Sequence, residues 1–251
     1  MKVDFHTHAK LSKKVDFSLS YFKQMVQSAL ASGLEGIALT EHFNTRNFHE
    51  VYDTLDAHYS YGKGYYMVDG LKVFPGMEVD VYEVGHILCI GELKDVRSLR
   101  EELDEYIDPF IPFRELLDKT SCYEMLVIGA HPYRPSTPLK DLEPSLLARL
   151  DAFDLNGKDL HTRGITENIQ DVQSLATSLG LPVVGGSDTH HFKQYGAVYT
   201  VLENECHNVS ELKNTLQKGQ FTVTVAEDLH ERVSEATRLK AIEKEKLEVE
   251  I

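Results

Sequence analysis

Short apolar runs alternate with amphipathic stretches along most of the 251-residue chain. This alternation is typical of βαβ units wound around a parallel sheet. It predicts seven strands, at residues 2–5, 36–39, 72–75, 125–129, 152–155, 182–185 and 197–202. Because no repeat, low-complexity tract or Pro/Ser-rich linker interrupts the pattern, we expect a single α/β domain over residues 1–225.

The helical segments show the spacing expected of crossover helices. Between the first two strands, residues 20–32 carry apolar side chains three or four positions apart, and Gly33 is placed to end the helix. The last segment, residues 226–251, is charged and contains Glu and Lys three or four positions apart. It predicts a terminal helix or tail that either docks on the domain or forms an oligomer contact, and the oligomeric state stays open.

Charge and cysteine usage narrow the function classes. Lys plus Arg number 26 against 40 Asp plus Glu, a net charge of −14, which repels a phosphate backbone and predicts no binding to long nucleic acid. A small phosphorylated substrate stays compatible, because a bound divalent metal inverts the local field. Three scattered cysteines predict no disulfide framework. The absence of a signal-peptide or membrane-spanning apolar run predicts a cytoplasmic protein without membrane contact.

The first predicted strand ends in a pattern suited to metal binding. It closes on Asp4-Phe5-His6-Thr7-His8. Alternate residues of an extended chain share a face, so His6 and His8 can share one metal ion. Asp4 is placed to orient one of the two imidazoles.

Further metal-type ligands follow the later apolar runs. They are His42, Glu78, His86, His131, Asp188 and His190. Because carboxyl ends of parallel strands meet on one face, we expect these side chains to converge. Six imidazoles and two carboxylates exceed what one four-coordinate zinc uses, and mixed nitrogen and oxygen ligands suit Zn, Mn or Fe. The pattern predicts a hydrolase with two or three divalent ions.

The motifs DFHTH, TEH, GMEVD, GHILCIG, AHPYR and GGSDTHH occur in one order along the chain. From Met1 to about Leu202 the sequence resembles the PHP family, named for polymerase and histidinol phosphatase domains. The resemblance implies a distorted seven-stranded (β/α) barrel. It also implies a two- or three-metal centre that hydrolyses phosphate esters, as in a histidinol-phosphatase-like enzyme or a nucleotide phosphatase.

The resemblance also implies roles for individual residues. One metal would be held by His6, His8, Glu78 and Asp188, a second by Glu78, His86 and His131, and a third by His42 and His190. Glu78 would therefore bridge two ions. The family usually supplies a further His or Asp in the loop after the first histidine pair, and Asp16 is the only acidic candidate in that loop.

Catalysis would then depend on these ligands and on nearby cations. Closely spaced metal ions lower the pKa of a bound water and neutralise charge on the phosphoryl group, so Glu78 and Asp188 are predicted catalytic residues. Arg134 is predicted to bind the substrate phosphate through a bidentate guanidinium contact, the alternative being a surface salt bridge. His191 is predicted either to donate to the leaving oxygen or to lie in solvent. Further candidate phosphate ligands are Lys14, Arg46 and Arg163.

Two alternatives remain at this point. An amidohydrolase barrel also combines an early His-x-His with a late Asp, and acts on C–N or C–O bonds. A PHP domain can also serve as a non-catalytic binding module. The tyrosine-rich region 52–69 either stacks on a base or ring of the substrate or packs on its own barrel.

Overall fold

The computed structural model describes residues 1–249, with side chains through residue 246. The strands are β1 Lys2–Thr7, β2 Gly36–Leu39, β3 Tyr61–Gly62, β4 Tyr65–Val68, β5 Leu71–Val81, β6 Gly85–Gly91, β7 Met125–Gly129, β8 Ala152–Asn156, β9 Val183–Gly186, β10 Val198–Leu202 and β11 Phe221–Val225. The helices are α1 Leu19–Ala31, α2 Phe48–His58, α3 Leu93–Glu102, α4 Phe113–Thr120, α5 Pro144–Leu147, α6 Gly157–Arg163, α7 Ile165–Leu179, α8 Val209–Gln217 and α9 Leu229–Val249.

Seven of these strands form a barrel in the order β1-β2-β5-β6-β7-β8-β9. The ring closes where β9 meets β1, through a parallel bridge between Thr7 and Thr189 and a hydrogen bond from the His8 N–H to the Thr189 carbonyl, 3.0 Å. The predicted seven-stranded barrel is therefore confirmed. It is distorted because β6 runs antiparallel to both of its neighbours, whereas the other barrel pairs are parallel.

The identity of the seventh barrel strand differs from the sequence prediction. Residues 85–91 form β6 inside the barrel, while the predicted strand at 197–202 forms β10, which pairs antiparallel with β1 outside the ring and carries β11 on its other edge. The sequence signal failed because β6 follows β5 after a tight turn. An antiparallel hairpin needs no crossover helix, so nothing in the helical pattern marks β6 as a strand.

Strand β5 is longer than predicted and pairs with two other strands of the barrel, in addition to β4 outside it. Residues 72–75 pair parallel with β2, and residues 76–81 pair antiparallel with β6. Gly76 lies where the partner changes, and a Cβ atom at this position would lie 2.9 Å from the Cys89 carbonyl oxygen. The absent side chain therefore permits the close approach of β6 to β5.

Two buried apolar clusters surround the barrel wall. The inner cluster includes Val3, Phe74, Leu88 and Ile128, and α8 adds apolar side chains that close one end of the barrel. The outer cluster joins the opposite strand faces to the apolar sides of the surrounding helices, as in α1, which begins after the N-cap Ser18, one residue before the predicted start. With one end filled by apolar groups, the polar strand residues gather at the other end.

Helix α9 docks on the domain, which is one of the two outcomes predicted for the C-terminal segment. Its first half buries Leu229, Val233 and Ala236. It packs against α6 and against a 3₁₀ turn at Phe192–Gln194, close to the polar end of the barrel. Residues 250 and 251 of the predicted tail lie outside the described residues. Among residues 1–249, no helix is both long and apolar enough to cross a membrane.

Candidate metal centre

The structure brings the eight predicted metal-type residues together at the polar end of the barrel. Three groups have ligand atoms within 4.8 Å of one another: His8, His42 and His190; His6, His8 and Asp188; and Glu78, His86 and His131. Since His8 belongs to two of them, the groups form one continuous cluster. All but His86 are buried, and His86 is nearly so.

Glu78 lies at the centre of this cluster. Its Oε1 is 2.7 Å from His86 Nδ1 and 3.2 Å from His131 Nε2. Its Oε2 is 2.8 Å from His42 Nδ1, and each oxygen also lies 3.5 Å from one imidazole of the first histidine pair. One carboxylate therefore touches imidazoles from all three groups.

The alternation of β5 and β6, rather than their ends, places Glu78 and His86. Phe74 on β5 and Leu88 on β6 face the inner cluster, and Glu78 and His86 have the same parity as these residues. The sequence pattern predicts every ligand just past the end of a parallel strand. For Glu78 and His86 that expectation is wrong, because both lie within strands that pair antiparallel.

The donor set fits divalent cations. Glu78 Oε2 and His42 Nδ1 are buried 2.8 Å apart, yet neither has a hydrogen-bond partner among the described residues. Burial alone would raise the pKa of Glu78, but the imidazoles of His42, His86 and His6 lower it well below its usual range. An ionised carboxylate among inward-facing imidazole nitrogens is the environment that Zn, Mn or Fe ions favour.

Asp154 orients the first imidazole of the cluster. Its Oδ2 lies 2.8 Å from His6 Nδ1 and also accepts a hydrogen bond from Asn156, 3.0 Å. This contact leaves His6 Nε2 to face Glu78 and Asp188. Asp4, which was predicted to orient an imidazole, instead accepts hydrogen bonds from the backbone N–H groups of Ser187 and His6. In the sequence, Asp154 could have been found as a charged residue inside the otherwise apolar start of the run AFDLN.

We expect Asp154→Asn to weaken metal binding by roughly tenfold to a hundredfold, because carboxylates that hold ligating imidazoles contribute about that much to affinity. The measurement is calorimetric titration of the metal-free protein with Zn²⁺. Asp141→Asn, a substitution of the same kind at an exposed position, is the matched control. Equal affinities of the two variants would remove the orienting role of Asp154.

Glu41 fixes the backbone on both sides of the cluster. Its Oε2 accepts the N–H groups of Ala9 and Lys10, at 3.1 and 3.2 Å, and its Oε1 accepts the N–H of His42, 3.0 Å. Burial would raise the pKa of Glu41, but His8, His42 and Lys10 lower it. The Glu41 side chain thus connects the loop after β1 to the segment that follows β2.

Asp80 is a further polar residue that the sequence analysis missed. It lies two positions after Glu78 on the same face of β5, with Oδ1 3.0 Å from His86 Nε2, and Lys13 contacts it at 3.0 Å. Burial lowers the pKa of His86, but Glu78 and Asp80 raise it to about 9. In the sequence, the alternation within GMEVD could have indicated Asp80, because it places Asp80 on the same strand face as Glu78.

Arg134 lies beside the cluster rather than on the open surface. Its Nη2 donates to Asp188, Asp159 and Asn156, at 2.8, 2.7 and 3.0 Å. Burial would lower its pKa, but Asp188 and Asp159 raise it. The side chain is 20% exposed. Among the described residues, no acceptor contacts Nη1, so one edge of the guanidinium stays available.

Other predicted residues lie outside the three groups. Asp16 is half exposed and pairs with Arg46 at 3.1 Å, because the loop after His8 turns towards the surface. His191 is buried rather than in solvent, with Nε2 3.4 Å from Glu243 of α9. Arg163 pairs with Asp171 at 2.6 Å on α7.

Most of the predicted tyrosine-rich region packs on the barrel. Tyr52 and Tyr66 are fully buried, and the hydroxyl of Tyr52 donates to the Gly76 carbonyl at 2.6 Å. The two buried rings stack with their centroids 6.4 Å apart. These contacts favour the packing alternative over stacking on a substrate ring.

Two of the predicted metal ligands carry backbone strain. His131 and Asp188 have φ values of 32° and 56°, in the region that favours glycine. Such residues each cost about 1–3 kcal/mol and cluster at functional sites. The strain therefore adds to the indications that these two positions serve function rather than folding.

The chain is similar to the family model of the PHP domain and to several solved structures. The PHP domain model matches residues 4–137, more than half of the chain, and a PHP-associated model matches residues 167–221. No curated protein matches. PsfC from Pseudomonas syringae PB-5123 superposes with a TM-score of 0.81 at 21% identity, over 96% of this chain and 97% of its own.

Two other solved structures share the fold at lower similarity. PfuEndoQ, a lesion-specific endonuclease from Pyrococcus furiosus, has a TM-score of 0.66 at 20% identity, over 88% of this chain and 57% of its own. A candidate metal-dependent phosphoesterase from Bifidobacterium adolescentis has a TM-score of 0.54 at 16% identity, over 85% of this chain and 95% of its own. Given the extent of the PHP domain match, the chain belongs to the PHP domain family.

Proposed function

We propose that the protein is a metal-dependent phosphoesterase that hydrolyses a small phosphate ester at a centre of two or three divalent ions. The observation that carries this proposal is the position of Glu78, a buried carboxylate in contact with imidazoles of all three ligand groups. A carboxylate placed in this way can bridge two cations, and clustered cations are the usual means of hydrolysing phosphate esters.

Each ligand group would hold one ion. The first ion would take His6, His8, Asp188 and Glu78, the second Glu78, His86 and His131, and the third His42 and His190. When bound, divalent ions lower the pKa of water and neutralise charge on phosphoryl oxygens. Asp154 and Asp80 would keep the imidazoles of His6 and His86 in a fixed orientation.

The cations of the chain would bind and orient the substrate. The available edge of Arg134 can donate to a phosphoryl oxygen, while its Nη2 stays fixed by Asp188 and Asp159. Lys158 is close by, with Nζ 3.4 Å from Asp188 Oδ2. The two side chains would thus position the phosphoryl group without serving as metal ligands.

A cavity along the loop that follows His8 has the size of a small-molecule site. Its volume is about 700 Å³, and its lining includes Lys14, Arg46 and Phe17 from the loops after β1 and β2. Pockets for small molecules commonly fall between about 300 and 1,000 Å³. Lys14 and Arg46 thus lie where a phosphorylated small molecule could meet them, which supports their predicted role.

Nucleic acid is the second substrate class to test. Endonuclease Q has been crystallised with a 27-mer duplex that carries an abasic lesion at the active site, but this chain spans 58% of that protein. The DNA complex of this relative means that net charge alone is a weak reason to exclude a nucleic-acid substrate. The net charge of −14 still disfavours a long phosphate backbone, so we propose a small phosphoester.

The retained ligands argue against the remaining alternatives. All eight predicted metal-type residues converge, whereas a non-catalytic PHP module would be expected to have lost some of them. An amidohydrolase would use the same ions on a C–N or C–O bond. A test of substrates, rather than of metal content, therefore distinguishes it from a phosphoesterase.

The test is an activity screen of the protein loaded with Mn²⁺, Zn²⁺ or Fe²⁺. We expect hydrolysis of at least one phosphomonoester or small phosphodiester, and no turnover of amides or lactones. Duplex DNA with an abasic site serves as the nucleic-acid substrate. Preferential turnover of that duplex, or of an amide or lactone, would contradict the proposal.

We expect Arg134→Lys to lower kcat/KM on the active phosphoester by roughly tenfold to a hundredfold, because an ammonium cannot reproduce the planar, charge-assisted contacts of a guanidinium. Steady-state kinetics measure the effect, with Arg149→Lys, an arginine paired with Asp118 on the surface, as control. Unchanged kcat/KM would limit Arg134 to its contacts with Asp188 and Asp159.

A further inference from the structure

Helix α9 covers a small cavity next to the metal centre. The cavity has a volume of about 290 Å³, and its lining includes Lys158 from α6, Lys240 and Lys244 from α9, and His190. No carboxylate belongs to the lining that the described residues form. Because His190 is part of one ligand group, the cavity adjoins the proposed metal centre.

The two lysines of α9 in this lining are half-buried and lack the carboxylate partner that Lys158 has. Lys158 is close to Asp188, at 3.4 Å, but among residues 1–246 neither Lys240 nor Lys244 forms an ion pair with a carboxylate. Burial and the neighbouring Lys158 lower the pKa of Lys240 to about 7, as expected for an amine enclosed beside another amine. An anion in the cavity would favour the charged form of Lys240 and supply the opposite charge that the lining lacks.

The overall charge makes this cluster unusual. Acidic residues outnumber basic ones by 40 to 26, yet three amines face one cavity. Lys240 and Lys244 also lie beyond residue 221, outside both segments that the family models match. The amines from α9 are therefore a feature of this chain that the family match does not account for.

We infer that this cavity binds a second negatively charged group of the substrate, a carboxylate or a phosphate a few bonds away from the phosphoryl group at the metal centre. This inference rests on the proposed function and refines its substrate class. Lys240 and Lys244 would be substrate-binding residues, and α9 would determine specificity by selecting phosphoesters with two anionic groups. A phosphoester with a neutral remainder would leave the amines of α9 without a counter-ion.

Binding of non-hydrolysable phosphonates to the metal-loaded protein tests this inference without turnover. Propylphosphonate has one anionic group, 3-phosphonopropionate adds a carboxylate, and propane-1,3-bisphosphonate adds a phosphonate. By calorimetry, we expect at least one of the two doubly anionic compounds to bind roughly tenfold to a hundredfold more tightly than propylphosphonate, as charge-assisted contacts allow. The tighter of the two identifies the second group.

Lys240→Gln should remove this preference while propylphosphonate binding stays unchanged, and Lys244→Gln should reduce it. Arg238→Gln removes one positive charge from an exposed position of the same helix and should keep the preference. Equal binding of all three phosphonates to the wild type, or a preference that survives in Lys240→Gln, would overturn the inference and leave the proposed function standing. Failure of every phosphonate to bind would overturn both.

Discussion

Glu78→Gln should lower kcat/KM on any active phosphoester by about a thousandfold or more, because bound metal contributes several kcal/mol to transition-state stabilisation and each 1.36 kcal/mol corresponds to tenfold. The amide keeps the shape of Glu78 but removes the charge that the surrounding imidazoles and ions require. Metal content should fall by at least one ion per chain. Steady-state kinetics and elemental analysis measure the two effects.

His42→Ala is the informative comparison. His42 belongs to one ligand group, whereas Glu78 contacts all three, so the loss of activity and metal should be smaller in His42→Ala. Circular dichroism of both variants establishes that the barrel is intact. If both variants lose the same amount of metal and activity, Glu78 does not bridge two ions.

Adding Mn²⁺ or Zn²⁺ to the metal-free protein should raise its Tm by roughly 8–16 °C. A ligand at about a thousand times its Kd stabilises the folded state by about 4 kcal/mol, and a chain of this size gains roughly 2–4 °C per kcal/mol. The physical reason is that only the folded barrel brings the buried carboxylates and imidazoles together. Differential scanning calorimetry at increasing metal concentration measures the shift.

The control for this prediction is an exposed histidine pair. His161 Nδ1 and His230 Nδ1 lie 3.0 Å apart on α6 and α9, away from the three ligand groups, and could bind metal adventitiously. His230→Asn should keep the full increase in Tm, and Glu78→Gln should lose most of it. An increase that disappears in His230→Asn would assign the stabilisation to the surface pair.

Hydrophobic periodicity predicts much of the barrel because its parallel strands are short buried runs separated by helices. The strand at 36–39 and the helix that ends before Gly33 are found as expected. Periodicity does not reveal strand direction, so the antiparallel β6 was missed and β10 was placed in the barrel. That information lies in long-range pairing, which a single sequence does not display.

The candidate ligands were predictable because imidazoles and carboxylates beside apolar runs are conspicuous, whether they follow a strand or, like Glu78 and His86, lie within one. The residues that support them were not, since their roles depend on three-dimensional neighbours. Asp154 contacts His6 across 148 positions of sequence, and Asp80 contacts His86 because the two residues are paired across the β5–β6 hairpin. Likewise, only the folded chain brings Lys240 beside Lys158.

Titration of the metal-free protein with Mn²⁺, with the rate of phosphoester hydrolysis measured at each step, tests the central claim most directly. We predict negligible activity without metal and a rate that reaches its plateau only after two or three equivalents per chain, since Glu78 contacts all three ligand groups and His8 belongs to two of them. Full activity without metal, or a plateau at one equivalent, would contradict a multinuclear phosphoesterase centre.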